Sequence, residues 1–311
     1  MESIIEVDRL TKRYKKAEAN AVDGISFTVA PGAFFALLGP NGAGKTTTLS
    51  ILTTTLSPTS GAVRIAGRDV TTHASAVRRD VGIIFQNPSL DLNLTAEENV
   101  RFHAVLYGLY PFRPAFSMMP RPYQTQVREL AAVLGIEKEM FNPVKTFSGG
   151  MKRKLEIVRS LMHRPKVLFL DEPTAGLDAA SRRNLWRYLD EVRQQTGMTI
   201  FLTTHYLEEA EQADGICIIH HGRIVSYGSP EQVTADLIEE YVLVDAADRT
   251  DLRTELRRLA IPFSENGLFR IDANGLGVHR VLKSIETPLT VVQTHAPTLE
   301  DAYLSILGRS S

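Results

Sequence analysis

The sequence predicts an α/β fold with a small α+β unit toward its C-terminal end, on three observations. The apolar run Ala33–Leu38 leads into Gly39-Pro40-Asn41-Gly42-Ala43-Gly44-Lys45-Thr46-Thr47, after which Thr48–Leu56 reads as helix. A second apolar run, Val167–Leu170, is too short for a helix and ends in two adjacent carboxylates, Asp171 and Glu172; it reads as a buried parallel strand. From Glu239 onward the pattern changes to short strands alternating with helices, the mark of a separate α+β unit.

The first observation carries chemistry. Glycines at 39, 42 and 44 let backbone N–H groups turn inward around phosphate oxygens, because a side chain at those positions would block the approach. Lys45 is placed to reach the β- and γ-phosphates of a nucleotide, and the Thr46 hydroxyl to hold Mg²⁺. The helix N-terminus supplies partial positive charge beneath the anion. Strand, glycine-rich loop and helix in this order predict nucleotide binding.

Composition narrows the rest. With 35 Lys and Arg against 36 Asp and Glu, the net charge of the 311 residues is −1, so no nucleic-acid partner is expected. The cluster Lys12, Arg13, Lys15, Lys16 reads as a solvated face. Cys217 is the single cysteine, which excludes an internal disulfide, fits a reducing compartment and reads as a core residue. Met1–Leu10 alternates charged and apolar residues and lacks the apolar centre of a signal peptide. No apolar run approaches the ~20 residues that span a bilayer, so membrane association is expected through a partner.

Ile4–Leu10 and Gly24–Ala30 read as strands, with Pro31–Gly32 as the turn into the strand before the phosphate loop. Tyr14 lies between them as an exposed aromatic or a platform for a base. Beyond the first helix, Ala62–Ile65 and Val81–Phe85 read as strands, and Gln86 stands where an amide can reach Mg²⁺ or an attacking water. Thr95-Ala-Glu-Glu reads as a capping box opening a helical region that extends to about Gly135. Prolines at 111, 114, 120 and 122 interrupt it, marking Tyr110–Pro122 as an irregular insertion. Its Phe112, Phe116, Met118 and Met119 either pack on neighbouring helices or face a partner or membrane surface.

Ser148-Gly149-Gly150 opens the basic amphipathic stretch Lys152–Leu161, as a helix cap or a second anion-binding N-terminus. Asp171, at a strand's C-terminal end, can orient Mg²⁺, and Glu172 can polarise an attacking water. Ala175–Asp178 turns into the helix Ser181–Gln194; Thr199–Thr203 is the next strand, followed by His205 and the helix Tyr206–Ala213. His205 sits where ligands bind in open α/β sheets, favouring a γ-phosphate contact. Gly215–His220 and Gly222–Tyr227 close the larger unit as a hairpin-like pair. Strands at Tyr241–Asp245, Gly267–Ile271 and Leu289–Gln293 then alternate with helices near Arg249–Leu259, Val278–Ile285 and Leu299–Leu307, a unit without a phosphate loop or metal-ligand cluster.

Together these residues resemble the ATP-binding subunit of an ABC transporter, over roughly residues 4–235. Gly39–Thr47 is similar to the family's Walker A motif and Leu168–Pro173 to its Walker B motif with the catalytic glutamate. Gln86 resembles the Q-loop glutamine, Ser148–Gly150 the signature, Ala175–Asp178 the D-loop, and His205 the switch histidine. Tyr14 is similar to the adenine-stacking aromatic. Gly44–Gly61, Gln86–Val100, Ser148–Leu155 and Pro297–Gly308 narrow the resemblance to the drug-export branch that includes daunorubicin-resistance ATPases (ABC-2 type). Met151 stands where the general signature has glutamine, as it often does in this branch, and the Tyr110–Pro122 insertion is longer than the branch leads one to expect.

The resemblance implies a P-loop NTPase cassette at 1–235 with a mixed core sheet, an antiparallel β subdomain and a helical subdomain at about 90–160, then an accessory α+β domain at 236–311. It implies ATP and Mg²⁺ as cofactors and ATP hydrolysis as the activity. Glu172, His205, Gln86 and Lys45 would be catalytic, and Thr46, Gln86 and Asp171 would hold the metal. Tyr14, Gly39–Thr47, Ser148–Gly150 and Asp178 would bind nucleotide. The implied partners are a multi-spanning permease and a second ATPase in a head-to-tail dimer, at the cytoplasmic face of the membrane. Export of drugs or other amphiphilic compounds is the expected function. Related branches export polysaccharide, nodulation factors or lipid. A soluble ATPase of ribosomes or DNA is a further alternative, against which stand the single cassette and the lack of heptads. A regulatory module that hardly hydrolyses is another, against which stand Glu172 and His205.

Overall fold

The computed structural model describes residues 3–86, 89–174, 177–237, 241–272, 278–295 and 298–308. The chain divides into two compact units, Met1–Tyr227 and Gly228–Ser311.

In the first unit, β1 (Ile5–Lys12) and β2 (Val22–Val29) alternate inward and outward residues and pair antiparallel. Next come β3 (Phe34–Leu38), α1 (Lys45–Leu52), β4 (Ser60–Ile65) and β5 (Arg68–Asp69). Strands β1, β2, β4 and β5 form a four-stranded antiparallel sheet in the order β2-β1-β4-β5. Helix α2 (Ala74–Asp80), which the sequence reading left unassigned, precedes β6 (Val81–Ile84). Helix α1 starts three residues earlier than its apolar pattern implies, because Gly44, in the left-handed region, turns the loop directly into it.

Helices α3 (Ala96–Leu106), α4 (Arg121–Val133) and α5 (Gly149–Leu161) fill the stretch between β6 and β7 (Val167–Asp171). Thr95 caps α3 in a reciprocal box: its hydroxyl accepts from the Glu98 N–H, and the Glu98 carboxylate accepts from the Thr95 N–H. The prolines of the insertion do more than interrupt a helix. Pro122 sits in the first turn of α4, where a missing N–H costs nothing. Arg101 anchors the segment by donating to the Arg113 carbonyl at 2.9 Å while pairing with buried Glu97 at 3.2 Å. Tyr123 donates to the same carboxylate at 2.9 Å. Met119 is buried, whereas Phe112 is half exposed and stacks on Phe102.

Helix α6 (Ala179–Thr196), β8 (Thr199–Thr204), the single turn α7 (Leu207–Ala210), β9 (Gly215–His220) and β10 (Arg223–Gly228) complete the architecture. The core sheet has six strands in the order β10-β9-β3-β8-β7-β6. Strands β3, β6, β7, β8 and β9 pair parallel, and every residue of β3, β7 and β8 is buried, as expected for a sheet covered on both faces. The two sheets share one core in which Phe27 stacks on Phe35 at 5.5 Å and Phe35 meets Phe201 at 5.4 Å, joined by Leu49, Ile51 and Leu52 of α1. Cys217 is fully buried there, and burial pushes its thiol pKa up.

The second unit contains α8 (Pro230–Leu237), β11 (Tyr241–Ala246), α9 (Arg249–Arg258), β12 (Phe263–Asn266), β13 (Leu268–Asp272), α10 (Val278–Ser284), β14 (Leu289–His295) and α11 (Leu299–Gly308). The strand order β12-β13-β11-β14, with all pairings antiparallel, is a ferredoxin-like βαββαβ arrangement. Val242, Val244, Leu252, Leu256, Phe269 and Ile271 make its core. Strand β12 escapes a pattern reading because it is an edge strand of mostly exposed polar residues. Among the described residues no helix is long and apolar enough to cross a membrane.

Candidate active site

The C-terminal ends of β3, β7 and β8 lie side by side, with Leu38 opposite Thr204 and Asp171 opposite Thr203. Ligands bind at this edge of an open parallel sheet, and the loops leaving these strands carry the predicted residues. The glycine-rich loop is held tightly from behind. A Cβ at Gly39 would lie 2.3 Å from the Ile219 carbonyl oxygen, and one at Gly44, where φ is +109°, would lie 2.5 Å from the Ala21 carbonyl oxygen. Only glycine permits that approach.

Helix α1 opens without a side-chain cap and without an acidic residue in its first turn, unlike α3, α5, α6 and α9, each capped by a hydroxyl or carboxylate. Its leading N–H groups are therefore available to an anion. Lys45, 5% exposed, folds back so that its ammonium donates to the Gly39 and Pro40 carbonyls at 2.8 and 3.2 Å. Tyr14 reaches the same helix start: its hydroxyl is 3.3 Å from the Thr47 hydroxyl, and its ring is exposed.

Glu172 stands at the centre. Its Oε1 lies 3.0 Å from His205 Nδ1 and 3.8 Å from Lys45 Nζ, and its Oε2 accepts from Gln86 Nε2 at 3.0 Å. The backbone at Glu172 has φ of +44°, while its N–H donates to the Thr203 carbonyl at 3.0 Å. A non-glycine residue in this region is strained and persists only where its surroundings hold it. The next strand over provides that hold.

Burial governs the electrostatics of the site. Burial holds the Lys45 ammonium below the usual lysine pKa, more than the nearby Glu172 and Asp171 carboxylates restore it. Burial likewise raises the Asp171 carboxyl, opposed by the Thr203 hydroxyl bond and by Lys45 and Arg153. A buried ammonium at the helix start with buried carboxylates beside it suits a polyphosphate bound with a divalent cation. The Thr46 hydroxyl, Gln86 amide and Asp171 carboxylate are hard oxygen donors, the kind Mg²⁺ takes.

Thus the fold brings together Lys45, Gln86, Asp171, Glu172 and His205, with Tyr14 at the loop's outer side. It does not bring Ser148–Gly150 to them: among the described residues no hydrogen bond or ion pair joins that segment to the phosphate loop. Ser148 caps α5 by accepting from the Met151 N–H at 3.2 Å, so both readings of that serine stay compatible with its position. Asp178 caps α6 through the Ser181 N–H and hydroxyl at 2.9 and 2.6 Å, and these bonds lower its pKa. Ala175 and Gly176 lie outside the described residues.

Three supporting residues escaped the sequence reading. Thr203 donates its hydroxyl to the Asp171 carboxylate. Glu209, 1% exposed, accepts from Thr174 and, at 2.6 Å, from Thr204, joining the segments after Glu172 and before His205. Arg153, 6% exposed, donates to the carbonyls of Phe85, Asp171 and Pro173. In the sequence Glu209 sits beside Glu208 as an apparent solvated pair and Arg153 within a basic run. For Arg153 the signal available was positional, since it falls on the inward side of the amphipathic α5; Glu209, on the single turn α7, offered none.

Comparison with known proteins agrees with this geometry. The family description "ABC transporter" matches residues 22–175. Over 98% of its length the chain is 36% identical to the Nod factor export ATP-binding protein I of Ralstonia nicotianae, covering 94% of that protein. It is 33% identical to the daunorubicin resistance ATP-binding protein DrrA3 of Streptomyces coeruleorubidus, covering 99% of this chain and 96% of that one. Among solved structures, the dimeric post-hydrolysis state of the ATP-binding cassette MJ0796 bound to ADP and Pi superposes with a TM-score of 0.64 at 25% identity, covering 72% of this chain and 98% of that one. With a phosphate loop, a carboxylate-bearing strand and a histidine-bearing strand at one sheet edge, the chain belongs to the ATP-hydrolysing, ATP-binding subunits of ABC transporters, in the export branch that contains the daunorubicin-resistance proteins.

Proposed function

We propose that this ATPase powers export of drugs or other amphiphilic compounds through a separate multi-spanning permease, at the cytoplasmic face of the membrane. The observation that carries the reading is Glu172 held by Gln86, His205 and Lys45 at one point above the sheet. Lys45 and the amides of the phosphate loop grip the triphosphate of ATP. Glu172 takes the proton of the attacking water, a role worth roughly 10²–10⁴-fold for a positioned general base. His205 orients Glu172 and the γ-phosphate, and Gln86 connects the metal to the helical region after Thr95. Thr46, Asp171 and Gln86 would hold Mg²⁺, which when bound would supply charge neutralisation on the phosphate oxygens.

The N-terminus of α5 at Ser148–Gly150 stands apart from the chain's own loop. A second copy, arranged head to tail, would bring that segment against the γ-phosphate, so that each ATP is enclosed only when two chains meet. Tyr14 would carry the adenine by stacking, and Asp178 would lie along the dimer seam. A second cargo, a Nod factor, is favoured by the name of the Ralstonia relative. The test is affinity purification of the tagged chain from membranes in mild detergent. A stoichiometric multi-spanning protein is expected; ribosomal or DNA-bound partners without any membrane protein overturn the proposal.

A further inference from the structure

Helix α5 grips both flanks of Gln86 and both flanks of Glu172. Arg153 sits on its second turn, five residues after Ser148, nearly sealed from water. Its Nε donates to the Pro173 carbonyl at 2.8 Å and its Nη2 to the Asp171 carbonyl at 3.3 Å, the residues on either side of Glu172. Its Nη1 donates to the Phe85 carbonyl, immediately before Gln86, and to the Glu156 carboxylate at 3.1 Å. Glu156, fully buried, turns its other oxygen to the Ser89 N–H at 3.0 Å, beyond Gln86. Arg159 completes the hold, donating to the Ser89 carbonyl and hydroxyl at 2.6 and 2.7 Å.

A planar guanidinium spends its donors here on three main-chain carbonyls and one carboxylate. That use favours arginine over lysine, whose ammonium is a point donor that cannot span acceptors on separate strands. Burying the charge is costly, and burial does lower the Arg153 pKa against the pull of Glu156 and Asp171. Stability alone is a poor reason to keep such a pair, since apolar replacements often do as well. Its contacts instead fall beside the two side chains that must meet the attacking water.

We propose that Arg153 is a positioning residue for ATP hydrolysis: it aligns Gln86 and Glu172 through their backbone flanks and ties them to the helix that carries Ser148–Gly150. The inference rests on the reading of Glu172 as the group that activates water. A shift of the helix is thereby a shift of the carboxylate, so the signature segment and the hydrolytic carboxylate of one chain move together.

The test is steady-state ATPase kinetics of the full chain carrying Arg153→Lys, with equilibrium ATP binding and thermal melting measured alongside. Because misplacing a reacting group by about 1 Å can cost roughly 10²-fold, kcat is expected to fall about 10- to 100-fold while KM and ATP affinity hold. The double variant Arg153→Met/Glu156→Met removes both buried charges and keeps the volume. It is expected to fold and to keep the low kcat. Wild-type kcat in either folded variant overturns the proposal, as does a loss that tracks the unfolded fraction or raises KM in parallel. Glu172→Gln separates the two readings: if it retains turnover, the assignment of the carboxylate fails, and if it alone loses turnover, only the role of Arg153 fails.

Discussion

Replacing Glu172 by Gln tests the centre of the site with the least change in shape. The amide fits the same space and can still meet Gln86 Nε2 and His205 Nδ1, each 3.0 Å from the carboxylate. What disappears is the charge and the ability to take a proton. Losing a general base costs roughly 10²–10⁴-fold in turnover, which is about 3–5 kcal/mol in activation free energy. The charge has a second consequence. Lys45 lies 3.8 Å from Glu172, and two opposite charges at that distance attract by about 4 kcal/mol at an effective dielectric constant near 20. Without Glu172 the buried ammonium has lost its nearest carboxylate and binds phosphate at least as well. Phosphate release should therefore collapse while equilibrium ATP binding stays level or tightens. Unchanged turnover refutes the role of Glu172, and weakened ATP binding refutes the electrostatic account of Lys45.

Two further predictions concern the scaffold. The His103 ring lies tilted against Tyr107, with centroids 4.3 Å apart, and 5.8 Å from His163, and burial, with Arg159 and His163 nearby, pushes its pKa down from 6.5 to about 3. The folded chain keeps this imidazole neutral while the unfolded chain protonates it, so its stabilisation is complete above pH 6.5 and is lost as pH falls toward 3. Between pH 6.5 and about 5 the loss amounts to about 2 kcal/mol; urea melts at both ends should show His103→Leu less acid-sensitive, and parallel curves would contradict this. Gly39→Ala places a methyl 2.3 Å from the Ile219 carbonyl oxygen, an overpacking that costs about 1–3 kcal/mol and displaces the loop. Melting and ATP titration should both worsen, and a variant with both intact would show that the loop has slack.

Much of this protein was legible as local pattern. The phosphate loop, the Asp171-Glu172 terminus, the capping box at Thr95 and the parallel character of Val167–Leu170 each depend on neighbours within a few residues, where backbone propensity and hydrophobic period dominate. The helix after the phosphate loop was misplaced at its start, because Gly44, a residue type that more often ends a helix, here begins one. Strand β12 and helix α2 were missed because their stability comes from pairing and docking, not from an apolar stripe of their own.

What only the tertiary structure decided is how distant polar residues meet. Residues 45, 86, 172 and 205 are neighbours because β3, β6, β7 and β8 run parallel with their C-terminal ends at one edge. Parallel pairing requires long crossovers between partners, so no spacing rule in the sequence encodes the distances among them. The same holds for Arg153, Glu156 and Glu209. As letters they look like surface charges, and they become buried anchors only when a helix face closes over the strand ends and the segments that follow them. The sequence by itself determined which residues can do the chemistry. Burial, by removing water from around them, decided which charges must pair and which side chains stand together at the sheet edge.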